Sequence, residues 1–196
     1  MLSQLRPAIV STVFFTVLLG LGYPLAITGV AQAAFPDQAG GSLIRDAKGQ
    51  VIGSALIGQA FAKPEYLHPR PSAAGSNGYD ASASSGSNYG PLNPDLAKRI
   101  KGDATSLAGE GKGAIPADAL TSSASGLDPD VSPANAARQA ARIAAARGID
   151  VAKVQAVIDA HTDGPTLGFL GQAHVNVLKT NLALDAALGK AHPSGK

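Results

Sequence analysis

The stretch Ala8-Ile9-Val10-Ser11-Thr12-Val13-Phe14-Phe15-Thr16-Val17-Leu18-Leu19-Gly20-Leu21-Gly22-Tyr23-Pro24-Leu25-Ala26-Ile27-Thr28-Gly29-Val30 decides the fold class. It sits in a thirty-residue run, Pro7 to Pro36, that contains no Asp, Glu, Lys, Arg or His. A bilayer core takes roughly 20 apolar helical residues to cross, so this stretch reads as a single span over residues 8–30. In lipid each backbone polar group must be paired within the segment, which dictates a helix. Gly20, Gly22 and Pro24 predict a helix that bends or packs closely on a partner helix.

Ala31-Gln32-Ala33, followed by Ala34-Phe35, has the small-x-small pattern of a signal-peptide cleavage site. The apolar region of a signal peptide is about 7–15 residues, and this run is close to twice that length with a proline deep inside. A retained anchor is therefore expected. Arg6 precedes the span and the next basic residue is Arg45, which favours an inside amino terminus. The remaining chain is then expected on the far side of a bacterial inner membrane, in the periplasm.

Residues 1–36 read as a short amino terminus and anchor, and 37–196 as one exported α+β domain with a small sheet and several helices. About 160 residues suffice for one core. All 14 acidic residues and 15 of the 16 basic ones follow Pro36, so the exported part carries about +1. Nucleic-acid binding needs a concentrated basic face, and this balance excludes it. Cysteine is absent, which removes disulfide and thiolate chemistry. The histidines at 68, 161, 174 and 192 are too scattered for a metal site, so no metal is expected.

Ser42 to Gly58 reads as a hairpin turning at Asp46-Ala47-Lys48-Gly49. From Pro64 to Pro94 the chain is rich in Pro, Gly, Ser and Asn, yet it carries tyrosines and Arg70 that a plain linker does not need. That stretch is expected to be an ordered loop facing a partner. Asn93-Pro94-Asp95 starts a helix running to about Leu107. Gly109-Glu110-Gly111-Lys112-Gly113 lacks the spacing of a phosphate loop and reads as a flexible turn. Ser132-Pro133 opens a helix that ends at Arg147-Gly148, Asp150 caps one running to about His161, and Val175 to Leu188 forms the last. Arg138 and Arg142, four apart, read as a solvated stripe beside an alanine-rich face.

No catalytic constellation emerges. No serine has the Gly-x-Ser-x-Gly setting of a nucleophile elbow, and the histidines share no context with the serines. Asp128 and Asp130 flank a proline, where carboxylates order a turn.

Several phrases together resemble the KdpC subunit family of the bacterial high-affinity potassium-transporting P-type ATPase, the Kdp complex. They are Gly53-Ser54-Ala55-Leu56-Ile57-Gly58-Gln59 with Phe61, Arg70-Pro71-Ser72-Ala73, Tyr79 and the Ala-Ser-x-Gly-Ser-Asn segment at 83–88. Ser123-Ala124-Ser125-Gly126-Leu127-Asp128-Pro129, Gln139, Arg142 and Arg147-Gly148 follow. Leu167-Gly168-Phe169-Leu170-Gly171, Val175-Asn176-Val177-Leu178, Asn181 and Leu184-Asp185 complete the set in the family's order. The resemblance implies a non-catalytic subunit with one amino-terminal span, assembled with a channel-like potassium-translocating subunit and a P-type ATPase subunit. It also implies a catalytic chaperone that raises the hydrolysing subunit's affinity for ATP, with no cofactor bound tightly by this chain. The family's Leu-Ser-x-x-Gln phrase is here Ile149-Asp150-Val151-Ala152-Lys153, with lysine in the glutamine position. His174, in Gln172-Ala173-His174, stands where the family differs, and no role is assigned to it.

On these grounds Arg70, Tyr79, Ser87 and Asn88 are expected at a partner interface, Gly20 and Gly22 at helix contacts in the membrane, and Asp128 in a structural turn. Arg70→Ala and Asn88→Ala are expected to leave the domain folded while weakening assembly. The competing reading is a secreted or anchored periplasmic module that captures a small ligand through the 64–94 loop.

Overall fold

The computed structural model describes residues 2–111 and 113–189, so Lys112 and His192 lie outside the described residues. The chain divides into two compact units between Ile52 and Gly53. The first is dominated by a continuous 30-residue helix, Leu5–Ala34, long and apolar enough by length and composition to cross a membrane. It comprises α1 (Leu5–Val17), a π-helical turn (Leu18–Gly22) and α2 (Tyr23–Ala34). Proline explains the wide turn. Pro24 has no N–H, and its ring would crowd the carbonyl four residues back. The chain adjusts one residue earlier, where the Tyr23 N–H donates to Leu18 O, and the helix continues. A Cβ on Gly20 would meet nothing within 4 Å and one on Gly22 only Val17 O at 3.8 Å, so neither glycine is demanded by this chain's own packing.

A single turn of helix, α3 (Pro36–Ala39), leads to a hairpin of β1 (Leu43–Arg45) and β2 (Val51–Ser54). Its turn is held by Asp46, whose Oδ1 accepts from the N–H groups of Lys48 and Gln50 at 2.8 and 2.9 Å. The second strand is shorter than expected and ends at Ser54.

The second unit contains α4 (Pro94–Leu107), α5 (Ala117–Leu120), α6 (Pro133–Arg147), α7 (Val151–Ala160) and α8 (Val177–Leu188). Three short antiparallel strands, β3 (Asp130–Val131), β4 (Thr162–Asp163) and β5 (His174–Asn176), form a sheet in the order β3-β5-β4. The architecture is α+β, as expected. The sheet corrects one boundary: Val175 and Asn176 are strand, not the start of the last helix. Val175 pairs with Val131 and Thr162, and Asn176 stays extended to cap α8, accepting from the Lys179 N–H at 3.1 Å.

Ala136, Ala140, Ile143 and Ala144 share one face of α6 and pack in the core with Val131, Val154, Ile158, Val175 and Leu184. Small residues there let α7 lie close. The α6–α7 turn is closed by Gly148 at φ +67, with the Gly148 N–H donating to Ala145 O and the Ile149 N–H to Ala144 O.

Candidate functional site

The stretch from Pro64 to Pro94, although almost without regular structure, is ordered. Its first part is a strap across α6 and α8, and side-chain amides take the place of strand partners. A primary amide offers one donor edge and one acceptor, as a peptide unit does. Asn181 uses both on Leu67: the Leu67 N–H donates to Oδ1 at 2.7 Å and Nδ2 donates to Leu67 O at 3.0 Å. Gln139 does the same for His68, at 2.8 and 3.1 Å. Arg142 Nη1 donates to Pro64 O and Tyr66 O, and Arg147 Nε to Glu65 O at 2.8 Å.

The second part forms a knot with residues 121–130. Arg70 Nη1 meets Asp128 Oδ2 at 2.6 Å, and the Tyr79 hydroxyl donates to Arg70 O. Ser72 Oγ donates to Gly126 O at 2.6 Å and accepts from the Tyr79 N–H at 2.8 Å. Burial pushes the Tyr79 hydroxyl far above the usual phenol range, which keeps it a donor. Gly126 has φ +67, and a Cβ there would lie 2.5 Å from Ser85 O and 2.7 Å from Ala74 N, so only glycine lets the two segments close. The phrases Arg70-Pro71-Ser72-Ala73, Ser84-Ser85-Gly86 and Ser123 to Pro129, distant in sequence, meet here.

The expected site residues therefore differ in situation. Arg70 and Tyr79 are half-buried and bonded within the domain; Ser87 is half-buried and Asn88 exposed. Asp128 both pairs with Arg70 and orders its turn, accepting from the Asp130 N–H at 3.0 Å. This changes the expectation for Arg70→Ala. Arg70→Ala and Asp128→Ala break the same pair, so each is expected to lower stability by about 1–2 kcal/mol, and the double variant by less than their sum. Ser87→Ala should stay within about 0.5 kcal/mol of wild type. Thermal unfolding checks this, and additive losses from Arg70 and Asp128 would show that the pair carries no coupling.

Two further expectations are corrected. Arg138 and Arg142 are not a solvated stripe, because Glu110 pairs with both and their side chains are 4 % and 20 % exposed. The turn containing Glu110 is accordingly packed on α6. Gly111, at φ +77, passes so close that a Cβ would lie 2.7 Å from Arg138 O.

A groove of about 340 Å³ opens beside the knot, lined among others by Phe61, His68, Arg70, Tyr79, Asp103 and Leu107. Desolvation holds His68 below the ordinary histidine range and favours its neutral form. The amino termini of the longer helices of the second unit, the ready seats for phosphate, are occupied by the chain's own acceptors. Asn93 caps α4 and Asp150 caps α7. Asp118 accepts from Ser132 N–H, Ser132 Oγ and Asn135 Nδ2 at the start of α6. Asp130 accepts from Asn176 Nδ2 at the start of α8. Among the described residues no cluster of three or more His, Cys, Asp or Glu could hold a metal.

The family model described as "K+-transporting ATPase, c chain" matches residues 5–186. A potassium-transporting ATPase KdpC subunit from Caulobacter sp. (strain K31) is 70% identical over 95% of this chain and 95% of its own length. KdpC subunits from Beijerinckia indica and Gemmatimonas aurantiaca are 58% and 53% identical, covering 95% and 99% of this chain and 95% and 98% of their own.

Proposed function

The chain belongs to the KdpC family, the c chains of K+-transporting ATPases, and from that premise we propose that it is a non-catalytic assembly subunit of a high-affinity potassium pump. In this reading Leu5–Ala34 anchors it in the plasma membrane with a cytoplasmic amino terminus and a periplasmic domain. Its partners are a channel-like potassium-translocating subunit and an ATP-hydrolysing P-type subunit. The observation that carries the reading is the use of the family's polar phrases: Arg70, Ser72, Gln139, Arg142, Arg147 and Asn181 hold the strap and knot in one shape. Those are the tasks of a rigid docking piece. Ser87 and Asn88 face partners in this proposal, with Arg70 and Tyr79 shaping the loop that carries them.

The effect on ATP affinity that the family resemblance implies is proposed to act through contacts between subunits. Four of the chain's arginines, Arg70, Arg138, Arg142 and Arg147, are paired with its own carboxylates, and the amino termini of α4, α6, α7 and α8 with its own side-chain caps. That pairing argues against a direct seat for a triphosphate, and in the proposed topology the domain has no access to cytoplasmic nucleotide.

Purification in mild detergent from potassium-starved cells tests the assignment. The chain is expected to bring down a channel-like membrane protein and a P-type ATPase, with an intact mass that includes the anchor. A monodisperse lone protein would sink it. A mature amino terminus at Ala34 or Phe35 would instead make the apolar segment a cleaved signal.

A further inference from the structure

Residues 164–171, Gly-Pro-Thr-Leu-Gly-Phe-Leu-Gly, stand out between β4 and β5 as a closed loop. Their peptide groups bond to one another: the Thr166 N–H to Leu170 O at 2.8 Å, the Leu170 N–H to Thr166 O at 2.9 Å and the Gly168 N–H to Pro165 O at 2.9 Å. The loop is thus shaped without help from a neighbour. Its apolar side chains are left outside, with Leu167 79 %, Phe169 73 % and Leu170 51 % exposed. A Cβ on Gly164, Gly168 or Gly171 would meet nothing within 4 Å, so the chain does not cover its own tip.

The backbone supplies a second, independent observation. Leu167 lies at φ +56, in the left-handed region that a bulky residue rarely adopts and where glycine or asparagine would make an easier turn. Exposure and strain fall on the same residue, and neither helps the free domain. Strained positions that survive in a rigid frame cluster at contact and functional sites.

We propose that the tip formed by Leu167, Phe169 and Leu170 is a preformed plug that seats in an apolar pocket on another subunit of the pump, a proposal that rests on the family-based function above. Phe169 is its anchor, as a rigid aromatic inserted into a partner pocket contributes most at an interface. Charge decides against the bilayer as occupant. Loops that enter a lipid surface are flanked by lysine and arginine, which anionic headgroups attract. Between Lys153 and Lys179 the chain has neither, and carries Asp159 and Asp163.

The test uses the full-length chain, co-expressed with the other subunits and recovered in detergent at matched levels. Phe169→Asp and Leu167→Gly are each expected to cut recovery of the partner subunits about tenfold. The lone full-length Phe169→Asp chain should melt as wild type does, and Leu167→Gly, which relieves the strained backbone, at the same temperature or higher. Undiminished recovery with both variants overturns the proposal. So does a fall in melting temperature that accounts for the loss in both, which would make the tip part of the domain's own fold. If the lone wild-type chain dimerises and Phe169→Asp restores the monomer, a second copy is the occupant and the proposal fails. If the variants assemble normally in detergent and a label at residue 169 of the lone full-length chain, reconstituted in phosphatidylcholine–phosphatidylglycerol vesicles, is quenched by lipid-borne quenchers, lipid is the occupant and it fails likewise. A wild-type chain that recovers no partner at all would remove the family-based function itself, a result distinct from a failure confined to the variants.

Discussion

Asn181→Leu is expected to destabilise the domain by about 3 kcal/mol or more, because one side chain satisfies both peptide groups of a wholly buried residue. Leu67 is 0% exposed and Asn181 2%. Leucine keeps asparagine's branched shape and leaves no cavity, and its bulkier methyl groups, unable to sit at hydrogen-bond distance from the strap, add crowding to the lost bonds. The Leu67 N–H and C=O would each lose their partner where water cannot replace it, and each buried orphan costs about 1–3 kcal/mol. For a chain of this size that corresponds to a fall in melting temperature of very roughly 6–12 °C. Gln139→Leu is the control. It releases the same two groups on His68, together with Asn135 Oδ1 and Arg142 Nη2, but His68 is half-buried and water can reach it, so a smaller loss of about 1–2 kcal/mol is expected. A loss from Asn181→Leu as small as that from Gln139→Leu would mean that the strap is solvated at Leu67 as well, contrary to its burial.

The distinction between these two positions is one that the sequence alone does not reveal. Asn181 sits in a helix whose other polar side chains are Lys179, Thr180 and Asp185, and a buried amide there signals only that something needs bonding. Local chemistry was legible. Asn93-Pro94 and Ser132-Pro133 mark the starts of α4 and α6, and Gly148 marks the end of α6, because caps are set by neighbours in the chain. The three-stranded sheet was not, since its strands are two or three residues long and acquire their conformation only by pairing across the fold. The arginines of α6 failed for the same reason. Four-residue spacing places Arg138 and Arg142 on one stripe, but nothing local reveals that Glu110, on a glycine-rich turn, reaches both. Arg70 was legible as a residue with a task, while its partner Asp128 lies far along the chain.

Arg147 is where the strap, α6 and α8 are joined, and Arg147→Ala is expected to cost about 3–5 kcal/mol. Its side chain is 2% exposed. Nη2 meets Asp185 Oδ1 at 2.9 Å, Nε donates to Glu65 O, and Nη1 reaches Leu184 O and Gly189 O at the end of α8. The guanidinium also lies 5.2 Å from the centre of the Tyr66 ring, whose hydroxyl donates to Asp185 Oδ2 at 3.0 Å. Removing the cation leaves Asp185 half-buried without its counter-charge and takes donors from the last carbonyls of α8, where positive charge is favoured. Arg147→Lys should recover the charge but less than half of the stability, since an ammonium cannot spread its donors over Glu65, Leu184, Gly189 and Asp185 as the planar fork does. The double variant Arg147→Ala with Asp185→Ala should be less destabilised than the sum of the single changes by about 1–3 kcal/mol, because the orphaned carboxylate is gone. The measurement is thermal or urea unfolding of the full chain in detergent. A lysine variant as stable as wild type, or strict additivity in the cycle, would mean that Arg147 acts as a simple charge and that the strap is held elsewhere.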